Sequence, residues 1–159
     1  MANIDLTQTY KDRTYRQPKF RPVALAENIR VIDFAEAARK KGSALAQNDT
    51  IDILPIPINT YVYDVFAIIK TASTAAGTVQ IGDSSSATGF ITSISTNSTA
   101  LTSVPESGSY IYSTSAATSP KVYSAANAVR VTISGATAPA DGIIELHILT
   151  NDTTLSVNE

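Results

Sequence analysis

The sequence predicts an all-β body, a jelly-roll-like β-sandwich of about eight strands, with an extended N-terminal arm. Near the C-terminus, apolar and polar residues alternate with a period of two. A run rich in aromatic and β-branched residues fills positions 61–70. Short apolar stretches elsewhere are separated by clusters of Gly, Pro, Asn, Asp and Ser. The 159 residues suffice for one domain with a modest core. We divide them into the arm at 1–24, the sandwich body at 25–150 and a C-terminal tail at 151–159.

The arm is defined by charge. Residues 1–41 carry nine of the 12 basic and five of the 14 acidic residues, a net of +4; the remainder carry three and nine, a net of −6. The basic part is densest where Lys11, Arg13, Arg16, Lys19 and Arg21 alternate loosely with Tyr10, Tyr15 and Phe20. Pro18 and Pro22 oppose a helix there. Such a segment is either a solvated tail or a docking element, with basic groups meeting carboxylates and aromatic rings adding apolar contact. The aromatic residues favour docking onto protein. Nucleic-acid binding is disfavoured, because the basic stretch is short and the rest of the chain is acidic.

The body begins with a strand at 29–34. Asp33 then stands as an N-cap with Glu36 three residues on, and Gly42 as a stop, which predicts one or two helical turns. Residues 50–54 form a strand with Ile51 and Ile53 inward, and the Pro-rich stretch 54–60 ends it, since proline donates nothing to a ladder. The run 61–70 carries apolar side chains on both faces, as a strand covered on both sides would; Tyr61 and Tyr63 are candidate subunit contacts. Strands follow at 77–81 and 90–94, with weaker candidates at 110–112 and 121–123. In 128–134, Val129, Val131 and Ile133 share one face, and in 142–150 Ile144, Leu146 and Ile148 do so. The intervening link has turn residues at both ends and predicts a hairpin.

Composition excludes much. With no cysteine, neither a disulfide framework nor a thiolate site is possible. The single histidine, His147, lies on the polar face of the last strand beside Glu145. No Gly-x-Ser-x-Gly elbow accompanies it, so it reads as a surface residue and the protein as no enzyme. The loop from Gly82 to Gly89 offers one carboxylate, Asp83, too few for calcium; it reads as a turn in which Asp83 holds nearby amides. Asp49 and Asp52 belong at a strand start. Phosphate loops and metal motifs are absent, so no cofactor and no metal is expected. No apolar run is long enough to span a membrane, and Asp5, Lys11, Asp12 and Arg13 stand where a secretory signal would be apolar. Residues 71–120 are rich in hydroxyls, with Ser and Thr at 23 of 50 positions.

One arrangement of segments is familiar. Ile29-Arg-Val-Ile-Asp-Phe34 and an alanine-rich connector lead to Ala44-Leu-Ala-Gln-Asn-Asp-Thr-Ile-Asp-Ile-Leu-Pro-Ile-Pro57. The strand at 61–70 follows, then Thr78-Val-Gln-Ile-Gly-Asp83, Thr88-Gly-Phe-Ile91 and the final strand pair. Over residues 25–150 this resembles small virion structural proteins of tailed bacteriophages, of the capsid decoration or cement type. The resemblance implies a non-enzymatic β-sandwich that self-associates, with a trimer favoured, and sits on the virion after synthesis in the host cytoplasm. It implies other virion proteins as partners, the major capsid protein first; the arm at 1–24 lies outside the resemblance and is read as the means of attachment. The alternative is a phage fibre or adhesin-type domain binding host surface glycans, for which Tyr61, Tyr63, Tyr110, Tyr112 and Tyr123 would supply a platform.

Overall fold

The structure, a computed structural model, describes residues 3–5, 26–98, 102–104, 107–108, 110 and 121–152. In chain order the elements are β1 (Asn3–Asp5), β2 (Ala26–Asp33), α1 (Phe34–Lys41), β3 (Thr50–Ile56), β4 (Thr60–Thr71), β5 (Thr78–Gly82), β6 (Ile91–Ser95), β7 (Thr102–Val104), β8 (Lys121–Val122), β9 (Asn127–Ile133) and β10 (Ile143–Asp152). One sheet runs β1-β3-β9-β5-β6 and the other β2-β10-β4-β7, with β8 also paired to the start of β4. Set aside β1 and β8, and eight antiparallel strands remain in the orders β3-β9-β5-β6 and β2-β10-β4-β7. Of these, only β5 and β6 are both consecutive in sequence and paired. This is the double Greek-key order of a jelly roll, in agreement with the predicted class.

The alternation seen in the sequence is the alternation of burial. Val129, Val131 and Ile133 of β9 face Ile144, Leu146 and Ile148 of β10 across the sandwich, all 0–1% exposed. Ile51 and Ile53 of β3, Val79 and Ile81 of β5, and Val62, Val65, Ala67 and Ile69 of β4 complete the layer. In β4 the inward phase shifts between Val62 and Val65. A bulge opposite Leu149 and Thr150 inserts one residue, so Tyr63 and Asp64 both turn outward and Val65 regains the core.

Helix α1 forms as its caps dictate. Asp33 Oδ1 accepts the Glu36 amide at 3.1 Å, and Gly42 closes the helix at φ 79° with its N–H on the Ala38 and Arg39 carbonyls. Phe34 and Ala37 turn into the core, so the helix plugs one end of the sandwich.

Four expectations change. The link 135–142 is not a hairpin turn: β9 and β10 lie in different sheets, so the link carries the chain from one layer to the other. Its turn residues are needed for a crossover as much as for a hairpin. Strand β3 does not stop at Leu54 but continues through Pro55, which pairs with Ala128. Among the described residues β1 pairs with β3 at Thr50–Asp52 only, so no described neighbour on that side needs the amide that Pro55 lacks. Asn59, at φ 64°, makes the turn instead. Tyr110 lies in a turn rather than a strand, and Tyr112 falls outside the described residues. Finally, Asn3–Asp5, within the stretch assigned to the arm, adds a parallel strand beside Thr50–Asp52; the rest of the arm lies outside the described residues, as does the tail beyond Asp152.

Candidate assembly surfaces

Two places concentrate side chains that the core does not explain. The first is the outer face of the β2-β10-β4 sheet. Cross-strand register puts Ile29, His147 and Phe66 in one row, and Val31, Glu145 and Ile68 in the next. Leu149 stands beside Glu27 and Asp64. Beyond these, Tyr61 and Tyr63 stack with ring centroids 6.2 Å apart, and Val122 of β8 is registered opposite Tyr61. Ile29 and Val122 are 45% and 47% exposed. A face with this much apolar and aromatic surface differs from the opposite sheet, whose outer side carries Asp52, Gln80, Arg130 and Thr132. There Arg130 grips Asp52 through Nε at 2.6 Å and a second guanidinium N–H at 3.1 Å; that hydrogen bond raises the Arg130 pKa above its ordinary value.

Polar groups on the apolar face are tied to one another. His147 Nδ1 lies 2.7 Å from Glu27 Oε1, and Nε2 lies 3.1 Å from Glu145 Oε1. Lys70 Nζ reaches the same Glu145 oxygen at 3.4 Å. The imidazole lies flat on the Phe66 ring, 4.5 Å between centroids and 9° between planes. His147 therefore joins the edge strand β2 to β10 and rests on β4. Local sequence showed its proximity to Glu145 but not to Glu27, which is 120 residues away. Among the described residues its two ring nitrogens are both taken up by carboxylates, Glu27 and Glu145.

The second place is a knot at Asp83, a residue 3% exposed. Its Oδ1 accepts the amides of Ser85 and Ser86 at 2.7 and 2.9 Å, as the turn reading expected. The same carboxylate also accepts the hydroxyls of Tyr110 and Tyr123, each at 2.9 Å. Burial first, and the Asp83 carboxylate second, push both phenol pKa values well above the usual range. Lys121 Nζ sits 3.9 Å above the Tyr110 ring. The tyrosines come from 27 and 40 residues downstream; the Gly-Asp-Ser loop signalled the turn, and nothing local signalled the partners. Gly82 and Gly89 leave room for this crossing, since a Cβ on Gly82 would lie 1.9 Å from the Ser86 carbonyl oxygen and one on Gly89 2.2 Å from the Tyr110 ring.

This architecture recurs in two bacteriophage capsids. A chain of the cyanophage Pam1 capsid asymmetric unit superposes with a TM-score of 0.57 at 17% identity, covering 92% of this chain and 97% of that one. A chain of the Ralstonia phage GP4 capsid does so with a TM-score of 0.51 at 14% identity, covering 93% and 97%. At such identities the likeness is one of fold. No protein-family model and no curated protein matches the chain.

Of the predicted site residues, Tyr61 and Tyr63 are together on the apolar face. Tyr10, Lys11, Arg13, Tyr15, Arg16, Lys19, Phe20 and Arg21 lie outside the described residues. Asp49 is buried and holds Lys41 and the Ala46 amide, a structural role at the start of β3. Among the described residues there is no group of three or more His, Asp or Glu side chains arranged to hold a metal, and no helix long and apolar enough to cross a membrane.

Proposed function

We propose that the chain is a non-enzymatic structural protein of a bacteriophage capsid, a decoration or cement-type subunit that self-associates as a trimer and docks on the particle through its N-terminal arm. The observation that carries this reading is that this jelly-roll chain superposes, over nearly the whole length of each, on chains of two phage capsids. The apolar face with Tyr61 and Tyr63 supports it, since a surface of this kind is normally covered by a partner. The major capsid protein is the proposed partner and the virion, after synthesis in the host cytoplasm, the proposed location. The physical role follows from mass action: a subunit that binds the assembled shell and not its dissociated parts stabilises the shell. Several weak contacts on one oligomer then add through effective concentration.

The competing reading, a fibre or adhesin domain for host glycans, loses two of its five tyrosines to Asp83, which takes the Tyr110 and Tyr123 hydroxyls. Co-sedimentation with purified capsids separates the two. The intact protein is expected to pellet with capsids. A variant with Lys11, Arg13, Arg16, Lys19 and Arg21 changed to Ser is expected to stay in the supernatant. Deletion of residues 1–24 is the poorer test, because it also removes β1. An intact protein that binds no capsid but binds glycans would overturn the reading, and equal pelleting of both forms would overturn the role of the arm.

A further inference from the structure

We infer that the outer edge of strand β2 pairs antiparallel with the same edge of a second copy of the chain, about a two-fold axis at Ile29. A two-fold contact lies outside a three-fold one, so the inference goes beyond the proposed trimer and does not depend on it.

Strand β2 has β10 on one side and, among the described residues, no strand on the other. One bond sets its backbone phase. The Phe34 N–H donates to the Gly142 carbonyl at 3.2 Å, and the register runs unbroken from Asp33 opposite Ile143 to Ala26 opposite Thr150. Ile32, Arg30 and Asn28 therefore exchange hydrogen bonds with β10, while the amides and carbonyls of Val31, Ile29 and Glu27 point away from it. Arg30 Nη1 donates to the Ile29 carbonyl at 3.2 Å, which leaves that oxygen a second lone pair.

Outer strands are ordinarily blunted by shortness, lysine, proline or a bulge. The other strands that end the two sheets, β1, β6 and β7, have three, five and three residues. β2 has eight, with neither Lys nor Pro among them and no break in its register. Its one outward charge near the middle, Glu27, is drawn back over its own sheet by His147 Nδ1 at 2.7 Å. Beside it Ile29 is 45% exposed.

Such an edge accepts another strand, and β2 is its own complement. With Ile29 opposite Ile29 across the axis, Glu27 faces Val31 and Asn28 faces Arg30 of the second copy, each twice. An axis at Arg30 would set two guanidinium groups against each other, and one at Asn28 would set Ile29 against Glu27. The axis at Ile29 matches apolar with apolar and opposes no like charges. The contact is isologous, the commonest kind between identical chains. The two β2-β10-β4 sheets then run on as one, with their apolar faces side by side.

Disulfide trapping tests this on the full-length protein, which has no cysteine of its own. Opposed residues that exchange hydrogen bonds have Cα atoms about 5.5 Å apart, within the reach of a disulfide. Ile29→Cys should therefore give a covalent dimer under mild oxidation. Glu27→Cys alone and Val31→Cys alone should not, because each lies four residues, about 14 Å, along the strand from its own counterpart; mixed together they should crosslink. Adding Ile29→Pro to both partners of that mixture removes an outward amide and spares the bonds to β10, so the crosslink should vanish with circular dichroism unchanged. An Ile29→Cys protein that forms no dimer, as when the edge takes some other strand, would overturn the inference. So would Glu27→Cys or Val31→Cys dimers in equal yield, or a crosslink that survives Ile29→Pro. Any of these results leaves the capsid reading standing, since that reading is decided by pelleting with capsids.

Discussion

Replacing Asp83 by Ala should be among the most damaging single changes in the protein. The carboxylate is 3% exposed and accepts four hydrogen bonds, from the Ser85 and Ser86 amides and from the Tyr110 and Tyr123 hydroxyls. The two amides belong to a loop open to water and can be resolvated. The tyrosine hydroxyls cannot escape so easily, least of all that of Tyr123, itself 3% exposed. A hydrogen bond to a charged group contributes about 1.5–3 kcal/mol, and a stranded buried donor costs about 1–3 kcal/mol. Counting the tyrosine contacts alone, and allowing for the relieved cost of burying a charge, the loss is about 3–5 kcal/mol, a large share of the stability of a domain this size. Asp83→Asn keeps one acceptor oxygen and should lose about half as much. Guanidinium unfolding followed by circular dichroism measures both. In a double-mutant cycle, Tyr123→Phe should cost little once Asp83 is already Ala. A loss below about 1 kcal/mol for Asp83→Ala, or strict additivity of the two changes, would refute the account of the knot.

Three further outcomes follow from the same structure. The Tyr110 and Tyr123 pKa values are raised on folding; their stabilisation is complete below the ordinary tyrosine value of about 10 and is lost as pH rises through the folded values, so alkaline ultraviolet titration should show Tyr110 and Tyr123 ionising only with unfolding, and Tyr110→Phe and Tyr123→Phe should each remove one such step. Asp141 moves the other way, held below its ordinary value chiefly by the Thr74 amide, with the Thr74 and Ser73 hydroxyls adding to it. Its contribution is present above the unfolded carboxylate value and lost as pH falls through the lowered folded one, so Asp141→Asn should flatten the acid limb of a melting-temperature profile. Gly82→Ala should cost about 2–3 kcal/mol or more, because its Cβ meets backbone. Gly42→Ala, with open space around it but φ at 79°, should cost only about 1 kcal/mol; similar melting temperatures for the two would contradict the packing argument.

The sequence by itself determined the local structure of the body: the two-residue period of β9 and β10, the Asp33 and Gly42 caps of α1, the turn at Asp83, and the absence of cysteine that closes off thiol and disulfide chemistry. Each depends on neighbours within a few residues, so each is written in consecutive letters. Tertiary structure alone decided the rest. That residues 135–142 cross between sheets instead of closing a hairpin depends on which strands pair, and 142–150 finds its partners at 26–33 and 60–71. That Pro55 stays in a strand depends on its pairing with Ala128 of β9. The joining of Asp83 to Tyr110 and Tyr123, and of His147 to Glu27, spans from 27 to 120 residues. No periodicity or local motif encodes such pairs, because the register of the assembled sheets brings them together. The same register gathers Ile29, Phe66, Tyr61, Tyr63 and Val122, from three separate strands, onto one outward face. Apolar letters on both sides of 61–70 already announced a strand covered by the core on one side and by a partner or loop on the other; only the sandwich showed which side chains go inward, Val62, Val65, Ala67 and Ile69, and which join the apolar face on which the proposed assembly turns.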